Sequence, residues 1–164
     1  MKRMAAVTLL ITLLMLAPSC AGNRANGDAA PEHPAEDPPV PEQPAEERQL
    51  KMLLGETKVG VEWQDNDAVA ALKELVKTKP LTIRMSMYDG FEQVGPIGKT
   101  LPRNDRKMTT GAGDIVLYSG DQIVVFYGSN TWSYTRLGRI TGKTKAELKD
   151  LLGSGDITLT LCCE

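Results

Sequence analysis

The chain has 164 residues, of which 41% are hydrophobic and 24% charged, with a formal net charge of −2. This composition is typical of one globular domain with additional segments, and it excludes a polybasic nucleic-acid binder and a polytopic membrane protein. The three Cys and the single His are too few and too widely placed for a zinc site. We therefore expect no metal, no cofactor and no nucleic-acid partner.

The first 19 residues have the three parts of a secretory signal peptide. Lys2 and Arg3 precede an apolar run over residues 5–17, and small residues then lead to Cys20. The apolar run has about 13 residues, whereas a membrane-spanning helix needs roughly 20. We predict that residues 1–19 are a signal peptide and take no part in the fold.

Residues 16–20, with the sequence LAPSC, resemble a bacterial lipobox, in which the Cys thiol is acylated and becomes the first residue of the mature protein. Each buried CH₂ of an acyl chain such as palmitate contributes about 0.8 kcal/mol, so a multiply acylated Cys holds a domain on a membrane. We predict a lipid anchor at Cys20 and an extracytoplasmic location in the bacterial cell envelope. The alternative is an ordinary signal peptide that is cut near Ala17 or Ser19.

Residues 20–49 have the composition of a disordered tether. After Cys20 they contain six prolines and seven acidic side chains against two basic ones, with no apolar periodicity. Such a stretch buries too little apolar surface to offset the entropy of ordering, and its like charges keep it extended. The alternative is a Pro-rich ligand for a partner domain. His33 lies in this segment, so we assign the histidine no catalytic role.

Residues 50–164 form the predicted folded domain. Alternating apolar residues over 59–63 predict a strand with one buried face. Apolar residues at helical spacing then predict a helix of roughly three turns, which begins after the capping side chains of residues 65–67 and ends before Pro80.

The rest of the domain is predicted to be mainly β, with one more helix. Asp89-Gly90 and residues 119–121 are hairpin-turn signals, and residues 95–106 are expected to be a loop. The capping box of residues 144–147 predicts a short helix that ends at Gly153. The predicted strands are residues 81–88, 114–118, 122–127, 133–140 and 157–161.

Seven or so short strands with two helices predict a closed or nearly closed barrel, or a sandwich, with the helices at its ends.

A Ser/His or Cys/His dyad is excluded because the domain has no histidine. Asp114 is interpreted as a turn residue at a strand entrance rather than as an acid catalyst. Cys162 and Cys163 are interpreted as structural, either as two thiols or as a vicinal disulfide.

One stretch concentrates aromatic and basic side chains. Five of them lie within the eleven residues 126–136, although the whole chain has only eight aromatic residues. Aromatic side chains and Arg provide large contact areas with directed donors, as ligand grooves require. We expect Phe126 to be a core residue. The predicted ligand-binding residues are Arg84, Tyr127, Trp132, Tyr134 and Arg136.

Three segments of the domain resemble the bacterial cyclophilin-like domain family: GDIVLY at 113–118, VVFYG at 124–128 and WSYTRLGRI at 132–140. Residues 81–86 and 152–158 are also similar to that family. The resemblance covers residues 50–161. It implies a mainly β fold with two helices, a closed cyclophilin-like barrel of about eight strands with helices capping its ends.

The resemblance also bears on activity. Cyclophilins are peptidyl-prolyl isomerases whose groove holds an Arg, a Gln, aromatic residues, a Trp and a His. Arg84 and Trp132 are candidates for the Arg and the Trp, and Gln122 for the Gln, whereas no domain histidine matches the His. The family resembles cyclophilins in fold, and the resemblance implies no settled activity.

We therefore expect a membrane-tethered extracytoplasmic module that binds a peptide or a small anionic ligand in its cleft. The alternative is a weak prolyl isomerase acting on extracytoplasmic proteins, in which Arg84 polarises the imide and the aromatic residues seat the proline ring. Such an isomerase lowers a barrier of about 18–20 kcal/mol without covalent chemistry. A third alternative is a purely structural role for the tethered domain.

Overall fold

The structure of the protein, a computed structural model, describes residues 48–164. These residues form a closed antiparallel barrel of eight strands, with a ninth strand outside it and two helices. The predicted signal peptide, Cys20 and nearly all of the predicted tether lie outside the described residues. In the described part of the chain, neither helix combines the length and the apolar character that a membrane crossing requires.

The barrel is closed by the long strand β8, because that strand pairs with different partners along its length. Its last four residues pair with β2, and its first four pair with β5, which lies outside the barrel. The order around the barrel is β2-β1-β9-β3-β4-β7-β6-β8. The elements are β1 (Leu50–Leu54), β2 (Thr57–Trp63), α1 (Asp67–Val76), β3 (Leu81–Tyr88), β4 (Glu92–Pro96), β5 (Arg106–Thr109), β6 (Asp114–Tyr118), β7 (Gln122–Phe126), β8 (Thr131–Thr141), α2 (Lys145–Leu152) and β9 (Ile157–Cys163).

The two predicted hairpins and the two predicted helices are confirmed. Asp89 and Gly90 have φ values of +48° and +71° between β3 and β4, a conformation that Asp-Gly sequences favour. The side chain of Asn66 accepts a hydrogen bond from the backbone of α1 and so caps that helix. At α2, Thr144 and Glu147 form the reciprocal bonds of a capping box.

The barrel interior is a single apolar core. Inward positions of the strands alternate with outward ones, and the buried faces of both helices pack onto the same core. Representative buried residues are Met52, Ile83, Ile115, Leu137 and Leu159 from the strands, Val69 and Leu72 from α1, and Leu148 and Leu152 from α2.

Three strands differ from the sequence-based expectation. β1 was not predicted, although Leu50, Met52 and Leu54 alternate as buried residues along it. The prediction that residues 95–106 form a loop is wrong at both ends, because β4 reaches Pro96 and β5 begins at Arg106. β5 is short and mostly exposed, so it lacks an apolar pattern and depends on pairing with β8.

A second apolar cluster lies on the opposite face of the sheet from the core. Val116 and Val124 face each other across β6 and β7, and Phe126 and Tyr134 complete the buried set. Because strand side chains alternate, these four residues point away from the interior that their neighbours fill. We call these four residues the outer cluster.

Candidate functional site

A groove with a volume of about 400 Å³ opens above the outer cluster. It is bounded by the end of β3, by β4, β6 and β7, and by the first residues of β8. The volume is within the range of pockets that take small ligands. The lining residues are Tyr88, Glu92, Val94, Tyr118, Val124, Asn130, Trp132 and Tyr134.

The floor of the groove is rigid because its apolar side chains pack closely. Val94 and Val124 are cross-strand neighbours on β4 and β7. The ring of Tyr134 lies edge-on to Phe126 at 5.8 Å and to Tyr118 at 6.0 Å between ring centroids. Edge-to-face contacts of this kind stabilise aromatic pairs beyond their buried area.

One wall of the groove is held by hydrogen bonds at the entrance of β8. The hydroxyl of Thr110 donates to the carbonyl of Asn130 and accepts from its backbone N–H, both at 3.1 Å. The side-chain amide of Asn130 in turn donates to the hydroxyl of Tyr134 at 3.1 Å. These bonds fix the loop that precedes Trp132, and the indole is nevertheless 58% exposed.

Glu92 is the ionisable group of the groove with the most unusual surroundings. It lies on β4 opposite Phe126, and the residue is only 7% exposed. Its Oε2 atom is buried and has no hydrogen-bond partner among the described residues. Burial, with a smaller contribution from the negative charge of Asp89, raises the pKa of the Glu92 carboxyl to about 7.

Of the five predicted ligand-binding residues, the structure brings Trp132 and Tyr134 together in the groove. They lie two residues apart on β8 and so share its outer face. Trp132 forms an exposed wall, whereas Tyr134 is nearly buried and belongs to the floor.

Arg136 does lie on the same face of β8 as Tyr134, but it does not line the groove. Its guanidinium donates to Oδ1 of Asp114 at 2.9 Å, and Arg139 donates to the same oxygen at 3.1 Å. The other oxygen of Asp114 accepts from the backbone N–H of Gly111. Asp114 is therefore a buried carboxylate that forms ion pairs with both arginines, and the role of Arg136 is structural.

Arg84 and Tyr127 lie elsewhere in the fold. Arg84 is exposed on β3, opposite Thr158 of β9, and is not among the groove residues. Tyr127 follows β7 and is buried in the barrel core, with 3% exposure, because its side chain alternates with that of Phe126. Neither side chain contributes to the groove.

Sequence reasoning missed six groove residues: Tyr88, Glu92, Val94, Tyr118, Val124 and Asn130. The available signal was weak: Glu92 and Val94 share one face of a strand that follows a clear hairpin turn. An acidic residue on the same strand face as an apolar one indicates an unusual environment.

The groove has the chemistry of a binding site. Its lining provides aromatic rings, an amide and one carboxyl group. Across residues 48–164, no three His, Cys, Asp or Glu side chains are placed together so that they could hold a metal ion.

Cys162 and Cys163 are both free thiols, and the Sγ of Cys163 donates to the carbonyl of Lys73 at 3.7 Å.

Comparison with known proteins gives one result. The model of the cyclophilin-like family matches residues 52–162, which covers the barrel from β1 to β9. Neither the curated proteins nor the solved structures provided a match.

Proposed function

The chain belongs to the cyclophilin-like family, and on this premise we propose that its barrel is a ligand-binding module. The ligand is a peptide or a small molecule that enters the groove above the outer cluster. We further propose that Cys20 is lipidated and holds the module on the extracytoplasmic face of a bacterial membrane. The sequence patterns of residues 1–19 and 20–49 support this tethering.

The observation that carries the binding proposal is the exposure of Trp132 above a buried aromatic floor. A large indole that is 58% exposed contributes little to folding, while the bonds around Asn130 hold its loop in place. Exposed apolar side chains that line a concave and rigid surface are typical of recognition sites.

The lining favours a ligand without negative charge. The described residues that line the groove include one acidic side chain, Glu92, and no Lys, Arg or His. The anionic ligand expected from the sequence depended on Arg84 and Arg136, which do not line the groove. A neutral or cationic ligand therefore fits the groove better.

The alternative function, prolyl isomerisation, receives partial support. The floor formed by Val94, Val124 and Tyr134 is apolar and could seat a proline ring. Arg84, however, is not positioned to polarise an imide in this groove. We therefore keep the isomerase as the second candidate and include its substrate among the probes below.

The experiment uses the two tryptophans of the chain as reporters. Peptides of the form acetyl-Ala-X-Ala-amide, with X each of the twenty residues including Pro, are titrated into the ¹⁵N-labelled protein. We expect at least one peptide to shift the indole N–H signal of Trp132. The indole of Trp63 donates to the carbonyl of Leu50 at 2.8 Å and serves as the internal control, whose signal should not move.

A matched variant checks that the shift reports the groove. Tyr88→Ala removes an exposed ring of the groove and should reduce the shift, whereas Glu56→Gln alters an exposed turn and should leave it unchanged. If neither a peptide in the set nor free butylammonium, the small-molecule probe, shifts the Trp132 signal, the proposed function is wrong.

A further inference from the structure

We propose that the groove recognises an ammonium group carried on an apolar chain, as in an alkylamine or a lysine side chain. Glu92 supplies the negative charge at the floor, and the rings of Tyr88, Tyr118 and Trp132 surround the cation. This inference rests on the proposed function, because it names the ligand chemistry of the same groove.

The first argument is the unsatisfied carboxyl group of Glu92. A buried oxygen without a hydrogen-bond donor is energetically costly, and a buried carboxylate is more so unless a cation accompanies it. Oε2 of Glu92 has no such donor among the described residues, and the side chain lies at a groove that opens to solvent. A ligand that brings a positive charge relieves the cost of the buried carboxylate, whereas a ligand with neither a charge nor a hydrogen-bond donor does not.

The second argument is the ring of aromatic side chains around the opening. Tyr88, Tyr118 and Trp132 are all substantially exposed, and all three line the groove together with Glu92. Aromatic faces attract ammonium groups by about 0.5–2 kcal/mol each, and Trp and Tyr are the strongest. Three such rings beside one carboxylate form a site that is complementary to an organic cation.

The third argument is the electrostatic surroundings of Glu92. Asp89 lies on the turn between β3 and β4, and its negative charge disfavours ionisation of Glu92. The same negative charge favours binding of a cation next to Glu92. Burial, with a smaller contribution from the charge of Glu92, raises the pKa values of Tyr127 and Tyr134, which stay neutral at physiological pH. The ionisable groups around Glu92 are Tyr88 on β3, Asp89 on the turn, Tyr118 on β6, Tyr127 after β7 and Tyr134 on β8.

The fourth argument is the shape of the floor. Val94, Val124 and Tyr134 offer an apolar surface next to the carboxyl group. An alkyl chain can lie on this surface while its terminal ammonium approaches Glu92 and the rings. A lysine side chain and a simple alkylamine share this chemistry, and the experiment distinguishes between them.

The test compares peptides that differ only in charge. Acetyl-Ala-X-Ala-amide peptides with X as lysine, trimethyl-lysine or norleucine are titrated into the full chain, and the Trp132 indole signal reports the affinity. Norleucine keeps the alkyl chain of lysine without its ammonium group. We expect lysine or trimethyl-lysine to bind about tenfold more tightly than norleucine, which corresponds to about 1.4 kcal/mol.

Free butylammonium, tested in parallel, identifies the source of the ammonium group. An affinity equal to that of the lysine peptide indicates a small amine, and a weaker affinity indicates a peptide. Both results support the proposal. Norleucine binding as tightly as both cationic peptides would overturn it while leaving the proposed function intact, whereas no shift with any peptide or with butylammonium would overturn both.

Two variants test the assigned roles. Glu92→Gln keeps the shape of the side chain and should reduce the tenfold preference for lysine over norleucine to about threefold, because only the rings then attract the cation. Tyr88→Leu removes an exposed ring. It should weaken binding of the lysine peptide more than binding of the norleucine peptide, without changing the fold. Glu56→Gln is the matched control and should retain the tenfold preference. A tenfold preference that is undiminished in Glu92→Gln would contradict the role of the carboxylate.

Discussion

Glu92 on β4 lies directly across the strand pair from Phe126 on β7, so a carboxyl group is placed beside a fully buried aromatic ring. Burial of the carboxyl group, with a smaller contribution from the charge of Asp89, raises the pKa of Glu92 to about 7. The same placement puts the carboxyl group at the floor of the groove. One residue therefore links the stability of the barrel to the proposed recognition of cations.

We predict that Glu92 makes the stability of the barrel depend on pH. The pKa of Glu92 is raised from 4.5 to about 7 on folding, so the folded state binds the proton more tightly than the unfolded state. Stability contributed by this group is therefore lost as the pH rises from about 4.5 to about 7. The integrated loss is at most roughly 3 kcal/mol.

Urea denaturation at pH 5 and pH 8 measures this effect. Glu92→Gln cannot ionise, so it should gain stability over the parent at pH 8 and gain much less at pH 5. Glu56→Gln, in an exposed turn, should follow the parent at both pH values. A Glu92→Gln variant that tracks the parent at both values would show that the carboxyl group is not desolvated.

We predict that Arg136 stabilises the fold. Arg136→Ala leaves the buried carboxylate of Asp114 with one exposed cation, and we expect a loss of about 2 kcal/mol. Arg139→Ala removes the more exposed partner of the same carboxylate and should cost less than about 1 kcal/mol. Thermal and urea denaturation give both values. If both variants lose equally little stability, Arg136 is not a structural residue and is again a candidate for contact with a ligand.

We predict that substitutions of the two groove residues on β8 have very different effects on the stability of the fold. Trp132→Ala should change stability by less than about 0.5 kcal/mol because the indole is exposed. Tyr134→Ala should cost about 3 kcal/mol because it removes a buried ring that contacts Tyr118 and Phe126. Urea denaturation of both variants provides the comparison. A loss of several kcal/mol for Trp132→Ala would mean that the indole is a core residue.

We predict that lipidation of Cys20 holds the protein on membranes. Cys20→Ala should move the protein from the membrane fraction to the soluble fraction and abolish metabolic labelling with palmitate, because acyl chains are the expected anchor. Cys162→Ser alters a thiol inside β9 and is the matched control, which should remain membrane-bound. An unchanged membrane fraction for Cys20→Ala, with an unlabelled parent, would contradict the anchor.

Much of the fold was predictable because its signals are local. The period-two pattern of β3, the Asp89-Gly90 turn and the capping box of α2 each depend on residues within a few positions of one another. β5 was not predictable in this way, since its sequence is short and mostly polar. It becomes a strand because the first residues of β8 offer it a free edge.

The site was only partly predictable because its contacts are distant in sequence. Trp132 and Tyr134 stood out as aromatic residues after a loop, and both line the groove. Arg136 also stood out, but its partner Asp114 is 22 residues earlier and is brought near by the pairing of β6 with β8. Glu92 had only a weak local signal, since it lies opposite Phe126 on another strand.

The measurement that tests the central claim most directly is an NMR titration of the Glu92 carboxyl carbon, with and without the lysine peptide. The account predicts a pKa of about 7 in the free protein. The pKa should fall by about one unit or more at saturating lysine peptide, and it should not move with the norleucine peptide. A Glu92 carboxyl that titrates near 4.5 and is unaffected by either peptide would contradict the account.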